Sequence, residues 1–425
     1  MRVERAALDT DPSAAARALR HALAIPPAVV ARVEEIVARV RAGGDEAVAA
    51  LTRELDTGGA DPGPLVVAPD EIAAALRRAD PTLASALELA AANVRDVAAS
   101  GVGADRDIAL PQGQRVRLRE LPVRRAAVYV PGGRAPYPST VVMGAMTARV
   151  AGVEQVVVCS PPSAEGRVHD AVLAACAVCE VSEVHAMGGA QAIAALAHGT
   201  ATVPAVDVVV GPGSLYVQEA KRQVARLVGI DGFAGPSELV VILDRAEGAD
   251  EVALDLLAQA EHGPDSPVIA LSPTPAALDA VSAALEAASG PDDPPGRLLD
   301  APDLDAALAF SEAFAPEHLE LVGAGAEALA DRVSRAGCLF VGRLGGAAFG
   351  DYVAGSNHVL PTGGAARFAS PLSPQHFRRR MSEVRIAPGA GLAELARAGS
   401  AIARAEDFGR HAKSMEARMG ENQPT

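Results

Sequence analysis

Gln259 and His262 stand three residues apart in Leu256-Leu-Ala-Gln-Ala-Glu-His-Gly-Pro264, where the pattern reads as the end of a helix. One helix face can therefore present both to a single ligand. Gln is a poor metal ligand, so on their own the two read as structural rather than as zinc ligands. Glu317-His318, after Ala315-Pro316, sets a carboxylate beside an imidazole, a pair suited to moving protons near neutral pH. Neighbours in sequence cannot share a regular helix or strand face. Both can act at one centre only where the backbone is irregular, which Pro316 permits. The stretch from Gly350 to Pro361, with Asp351, Asn357 and His358, is dense in ligand-type side chains and has no core pattern, so it reads as a functional loop.

Gly211-Pro-Gly213-Ser214 follows an apolar run and opens a helix, where free N–H groups favour a phosphate. The third glycine of the dinucleotide fingerprint is replaced by Tyr216. Asp231, 20 residues after Gly211, has the spacing of a ribose-binding acid but reads as part of a Gly-rich turn rather than a strand end. A tight strand-to-helix turn explains the motif as well as a nucleotide does. Cys176-Ala-Val-Cys179 has redox or zinc spacing, yet its surroundings are apolar on every face and no second pair completes a site. The two thiols read as core. Glu406 and His411, five apart near the end, read as a solvated helix face.

The elements that must position these groups follow a clear grammar. From Pro26 to about Ser100 the apolar positions recur at helical spacing (Val29, Val33, Ile36, Val37, Val40), with Gly43-Gly44 as a stop. Short alternating strands occupy about 107–123. Four apolar runs then lead into small-residue loops: 126–130 into Pro-Gly-Gly, 155–158 into Cys-Ser-Pro-Pro, 184–187 into Gly-Gly, and 207–210 into Gly-Pro-Gly. Each is followed by a helical stretch, which is how a parallel α/β sheet reads, so the four loops should line one cleft at the strands' carboxyl ends. A second set of such units runs from Glu238 to Val341, with 290–296 as a surface loop. After about residue 372 come a basic loop (Arg378 to Arg380) and two helices, too little to hold a core alone.

The 425 residues call for two or three domains, and 49% hydrophobic content supplies their cores. Net charge −15 with 3% aromatic residues argues against a nucleic-acid partner. Only two of the 38 basic residues are lysines, Lys221 and Lys413. No run of 18 apolar residues and no signal-like start is present, so the expectation is a cytoplasmic protein with no membrane partner.

Eight segments in order resemble the histidinol dehydrogenase family: VYVPGGRAPYPST (128–140), MGGAQAIAALAHGT (187–200), VDVVVGPGSLYVQEAK (206–221), GIDGFAGPSE (229–238), LLAQAEHGPDS (256–266), APEHLEL (315–321), GDYVAGSNHVLPT (350–362) and AEDFGRH (405–411). The resemblance implies a homodimer with shared active sites and one zinc per subunit. It also implies oxidation of L-histidinol, through L-histidinaldehyde, to L-histidine with two NAD⁺. Carried over by motif position, the metal ligands are Gln259, His262, Asp351 and His411, the last from the partner subunit. The catalytic pair is Glu317 and His318. Substrate contacts are Ser237, Gln259, His262, His318, Asp351, Glu406 and His411, with His358 beside them. NAD contacts are Tyr129, Gln191 and Ser214, where the family usually has Asn at the last position.

The expected fold is α/β, two Rossmann-like parallel-sheet domains with small helical N- and C-terminal segments. The expected borders are 1–24 (helical), 25–123 with 237–372 (first α/β domain), 124–236 (second, NAD-binding) and 373–425 (a tail packing on the partner). In the implied chemistry His318 is general base for both hydride transfers, Glu317 helps activate the water that hydrates the aldehyde, and zinc orients the substrate. Three rivals are a dehydrogenase of another small alcohol, a zinc hydrolase and a non-catalytic scaffold. The retained Glu406 and His411 favour histidinol over another alcohol, and the intact Glu-His pair with four spaced ligands argues against a scaffold. A zinc hydrolase would use the same ligand types but needs an open metal position and no dinucleotide, so NADH absorbance on adding histidinol and NAD⁺ separates it.

Overall fold

Central strands such as Leu239–Leu243 and Val208–Val210 are apolar along their whole length, because helices cover both faces of a parallel sheet and leave no solvent side. In the computed structural model, which describes residues 3–21, 26–132, 135–232, 235–290, 293 and 295–419, the chain divides into two compact units. Unit one comprises residues up to 101 and 123–377; unit two comprises 102–122 and 378 onward.

Unit one holds two parallel sheets. The five-stranded sheet contains β4 (Arg125–Tyr129), β5 (Gln155–Ser160), β6 (Glu183–Ala186), β7 (Val208–Val210) and β8 (Gly229–Ile230), in the order β6-β5-β4-β7-β8. The six-stranded sheet contains β1 (Val3–Ala7), β9 (Leu239–Leu243), β10 (Val268–Ser272), β11 (Gly296–Asp300), β12 (His318–Val322) and β13 (Cys338–Val341), in the order β1-β11-β10-β9-β12-β13. Apart from the added β1, both sheets have the doubly wound order 3-2-1-4-5, each starting at a central strand and reversing direction beside it. The expected pair of Rossmann-like sheets is present.

Alternate residues of each strand feed opposite cores. Ala126, Val128, Val158 and Val210 face the helices Pro69–Arg78, Pro81–Ser100 and Asp170–Val178. Ala127, Tyr129, Val157 and Val209 face Pro27–Leu55, Gly189–His198 and Leu215–Val224. At about 1.5–3 kcal/mol for each fully buried aliphatic side chain, this two-sided burial decides where the N-terminal helices go. They cover the five-stranded sheet, which corrects the expected grouping of 25–123 with 237–372. The helical run over 27–55 is broken at Gly44 (φ 54°), so the expected stop is a kink between two helical stretches.

Two further expectations change. The N-terminal segment is not only helical: β1 pairs in parallel with β11, and the helix Pro12–His21 packs on the six-stranded sheet with Leu304–Phe314. The basic run Arg378 to Arg380 is no loop. It begins β14 (Arg378–Arg385), which pairs antiparallel with β3 (Arg115–Pro122); β3 pairs in turn with β2 (Arg106–Ala109), and this sheet lies in unit two with helices Ala390–Ala405 and Gly409–Ala417. Most of the expected 290–296 loop (Pro291, Asp292, Pro294) lies outside the described residues. Among the described residues no helix is long and apolar enough to cross a membrane.

Candidate active site

Glu317 and His318 open β12, and the backbone before them is irregular as expected. The left-handed residue is Ala315 (φ 50°, ψ 67°), which caps the helix Leu304–Phe314, rather than Pro316 itself. The turn sends the two side chains to one centre, with Glu317 Oε2 3.7 Å from His318 Nδ1. Both are buried. The site lies at the amino ends of β9 and β12, opposite to the ends at which ligands usually sit in such sheets.

His318 Nδ1 lies 3.2 Å from the Glu238 carbonyl, which can only accept, so the ring proton belongs on Nδ1 and Nε2 is the basic atom. Nε2 is 3.4 Å from Asp351 Oδ1. Burial works to lower the pKa of His318, but the Glu317 and Asp351 carboxylates override it and raise the imidazole to about 9. Two carboxylates thus hold the imidazole above the near-neutral range expected from the sequence. Glu317 is raised by burial to about 7, against the lowering effects of His318, the Ser237 hydroxyl and the Glu238 N–H. A carboxyl that exchanges its proton near neutral pH suits activation of water.

Ser237 donates its hydroxyl to Glu317 Oε2, and Glu238 N–H donates to the same oxygen at 2.8 Å. Glu238, fully buried, was not singled out from the sequence, nor was Arg20. The Arg20 guanidinium pairs with Glu238, donates to the Phe314 carbonyl at 2.7 Å and lies 3.6 Å over the Phe314 ring. Glu238 also accepts from Gly363 N–H at 3.1 Å. This buried pair ties the first helix, β9, the turn before Glu317 and the 362–364 loop into one frame. Its only advance signal was a carboxylate in the GPSE motif, whose partner more than two hundred residues away sequence reading had no means to find.

Asp351 sits in the short helix Ala347–Tyr352, not on a loop. Burial works to raise its pKa, but His318 and the nearby His358 and His262 lower it, so it is ionised. His358 Nδ1 donates to the Asp351 carbonyl at 2.8 Å, and its Nε2 is 3.1 Å from Thr140 Oγ1, beyond the carboxyl end of β4. This contact links the loop that follows the helix Ala347–Tyr352 to the helix Pro138–Val141. Gln259, buried near the end of the helix Ala249–Ala260, has a side-chain nitrogen without a partner. His262 lies in the turn beyond it, exposed, with its imidazole lowered by desolvation despite Asp351. A neutral imidazole and an ionised carboxylate suit a divalent cation of zinc type, for which the amide would have to offer its oxygen. Among the described residues no three His, Cys, Asp or Glu side chains form a metal cluster. Glu406 and His411 belong to unit two, where both are exposed.

The small-residue loops of the five-stranded sheet meet at its carboxyl ends, as expected, although Gly133 lies outside the described residues. Tyr129, at the end of β4, is buried and its hydroxyl accepts from Gly189 N–H at 3.1 Å. Gln191 is fully buried; its Nε2 donates to Asp56 Oδ2 at 3.0 Å, and its Oε1 has no partner. Asp56, missed in the sequence, is raised by burial to about 6. Ser214 is exposed and N-caps Leu215–Val224 with no capping bond from its hydroxyl, which leaves that group free for a ligand. Cys176 and Cys179 are fully buried, in the core as expected.

The histidinol dehydrogenase family profile matches residues 20–419. The chain is 42% identical over 403 residues to the histidinol dehydrogenase of Parasynechococcus marenigrum, covering 92% of this chain and 91% of that one. It is 41% identical over 397 residues to that of Nitrosomonas europaea, covering 91% of each. The crystal structure of histidinol dehydrogenase from Elizabethkingia anophelis superposes with a TM-score of 0.89 at 30% identity, covering 99% of this chain and 98% of that one.

Proposed function

The chain belongs to the histidinol dehydrogenase family, oxidoreductases of the final steps of histidine biosynthesis, and from this we propose a four-electron oxidation of L-histidinol through L-histidinaldehyde to L-histidine. Two NAD⁺ and one zinc per subunit would serve it in a homodimer. The observation that carries the reading is the convergence of Glu317, His318, Asp351 and Ser237 at the amino ends of β9 and β12, joined through His358 to Thr140 in the helix Pro138–Val141 that follows β4.

Gln259, His262 and Asp351, with His411 of the partner subunit, would hold the zinc, and Tyr129, Gln191 and Ser214 would bind NAD. Bound there, zinc supplies orientation through the imidazole and amine nitrogens of histidinol, and the nicotinamide accepts hydride. His318 Nε2 takes the hydroxyl proton, its Nδ1–H held by the Glu238 carbonyl so that the basic lone pair points one way. Glu317, with its proton in play near neutral pH, takes a proton from the water that adds to the aldehyde. His318 then serves as base again for the gem-diol. Ser237 and Glu238 N–H hold the Glu317 carboxylate in place through both stages. The exposed Glu406 and His411 would complete a substrate pocket in a second copy.

Counting NADH formed per histidinol consumed tests the proposal, with two NADH and one histidine as the expected yield. One NADH with free aldehyde as the product, or no reduction of NAD⁺, would overturn it.

A further inference from the structure

One of the chain's two lysines is buried. Lys221, 1% exposed in the helix Leu215–Val224, pairs through Nζ with Asp231 Oδ1 at 2.7 Å, and Asp231 itself is 7% exposed. The two side chains do not merely neutralise each other; both grip one peptide unit. Lys221 Nζ donates to the Gly211 carbonyl, and Gly211 N–H donates to Asp231 Oδ2 at 2.6 Å. Gly211 (φ 115°) ends β7 where the strand order reverses beside β4, so tightly that a Cβ would lie 2.1 Å from the Tyr129 carbonyl oxygen. Asp231 directly follows β8, so it does stand at a strand end, contrary to the sequence expectation. Its carboxylate is turned onto the loop instead of outward to a ribose.

We propose that Lys221 and Asp231 are positioning residues for the cofactor: they clamp the Gly211 peptide and hold the 211–214 loop in its ligand-binding form before any cofactor arrives. The inference rests on the reading of Ser214 and its neighbours as an NAD site. In the usual dinucleotide fingerprint three glycines shape the turn against the pyrophosphate. Here the third is Tyr216, and a buried ion pair from the next helix and the next strand fixes the turn from behind. The compact ammonium of the lysine meets a carbonyl and a carboxylate at once.

Preorganisation acts on binding and not on the chemical step, so its loss should appear in KM for NAD⁺ and leave kcat alone. Asp231→Asn, and the double variant Lys221→Met/Asp231→Leu, which leaves no lone buried charge, should each raise KM for NAD⁺ by about tenfold or more. The kcat at saturating NAD⁺ should stay within about threefold, with the KM for histidinol and the metal content unchanged. Folded variants with the parent's KM for NAD⁺ would overturn the proposal. Hydrogen exchange of the peptide spanning 207–216 in the unaltered protein decides the matter if neither variant folds. Slow exchange without NAD⁺ supports the clamp, and free exchange that slows only on adding NAD⁺ overturns it. If the unaltered protein shows no NAD⁺ binding by titration, the cofactor reading fails, while the exchange measurement still reads the clamp.

Discussion

The proton chemistry of single side chains depends on which charges sit nearest. Without zinc, His318 is drawn up to about 9 by two carboxylates, so the fraction carrying a free Nε2 grows with pH and passes one half near 9. NMR titration of the imidazole after zinc is chelated should show that midpoint. Glu317→Gln removes one of the two carboxylates, lowers the pKa of His318, and should move the midpoint to lower pH; an unmoved midpoint would refute the electrostatic coupling. The same variant should oxidise supplied histidinaldehyde poorly while sparing the first step. His318→Asn should slow both by about 10²–10⁴-fold, the usual contribution of a positioned base. Single-turnover measurement of each half-reaction separates the two outcomes. His262→Asn should reduce bound zinc and turnover together while NAD⁺ still binds, since Tyr129, Gln191 and Ser214 belong to elements of the five-stranded sheet and its helices; full metal occupancy in that variant would remove His262 from the ligand set.

At the level of elements, the half-buried Asp255 carboxyl and the buried Glu320 carboxyl share a hydrogen bond, and Glu320 Oε1 accepts from Ala347 N–H at 2.7 Å. They join the helix Ala249–Ala260, β12 and the helix Ala347–Tyr352, the three elements that carry Gln259, His318 and Asp351. Burial raises both pKa values, helped by the Glu251 charge at Asp255 and by the Asp255 charge at Glu320, so the folded protein holds a proton that the unfolded chain releases at ordinary carboxylate pH. The stability this contributes is complete in acid and is lost as the pH rises through the raised folded value. Glu320→Gln keeps the bond to Ala347 and carries no charge, so its melting temperature should fall less than the parent's between pH 5.5 and 9. Parallel melting curves for the two proteins would rule the shared proton out. Cys176 and Cys179, in or just beyond the buried helix Asp170–Val178, contribute only volume. Their joint replacement by Ala should cost about 1–3 kcal/mol of stability, with zinc and activity per folded molecule unchanged. A loss of zinc would return the pair to the list of ligands.

Across the whole molecule, unit two is a small assembly whose buried side chains are few, Ala396, Ser400, Ala403 and Ala412 among them, while Ile108, Val384, Ile402 and Phe408 are exposed. Its helices are held to each other by Ser400 Oγ, which donates to the Ala412 carbonyl at 3.1 Å, and by the Arg404–Glu416 ion pair. That is little apolar burial for an independent body, in keeping with a proposed second copy as cover. If each site combines Gln259, His262 and Asp351 of one subunit with His411 of its partner, co-expressing His262→Asn and His411→Asn chains should restore activity that neither variant has alone. No recovery in the mixed dimers, or a fully metallated and active His411→Asn homodimer, would show the sites to be self-contained.

What the sequence determined by itself was whatever local chemistry dictates. Uninterrupted apolar runs before Gly-rich loops required buried parallel strands, the apolar setting of Cys176 and Cys179 made them core, and Glu317-His318 demanded an irregular turn. The motif order also carried the family. Tertiary structure alone decided what depends on distant partners. Helices 27–100 cover the five-stranded sheet because their apolar faces match it. Arg378 to Arg380 form a strand because β3 offers an edge. Arg20 reaches Glu238, and Asp231 turns to Lys221 and Gly211. A buried charge is stable only with its partner in place, and no local pattern in the chain records where that partner will be.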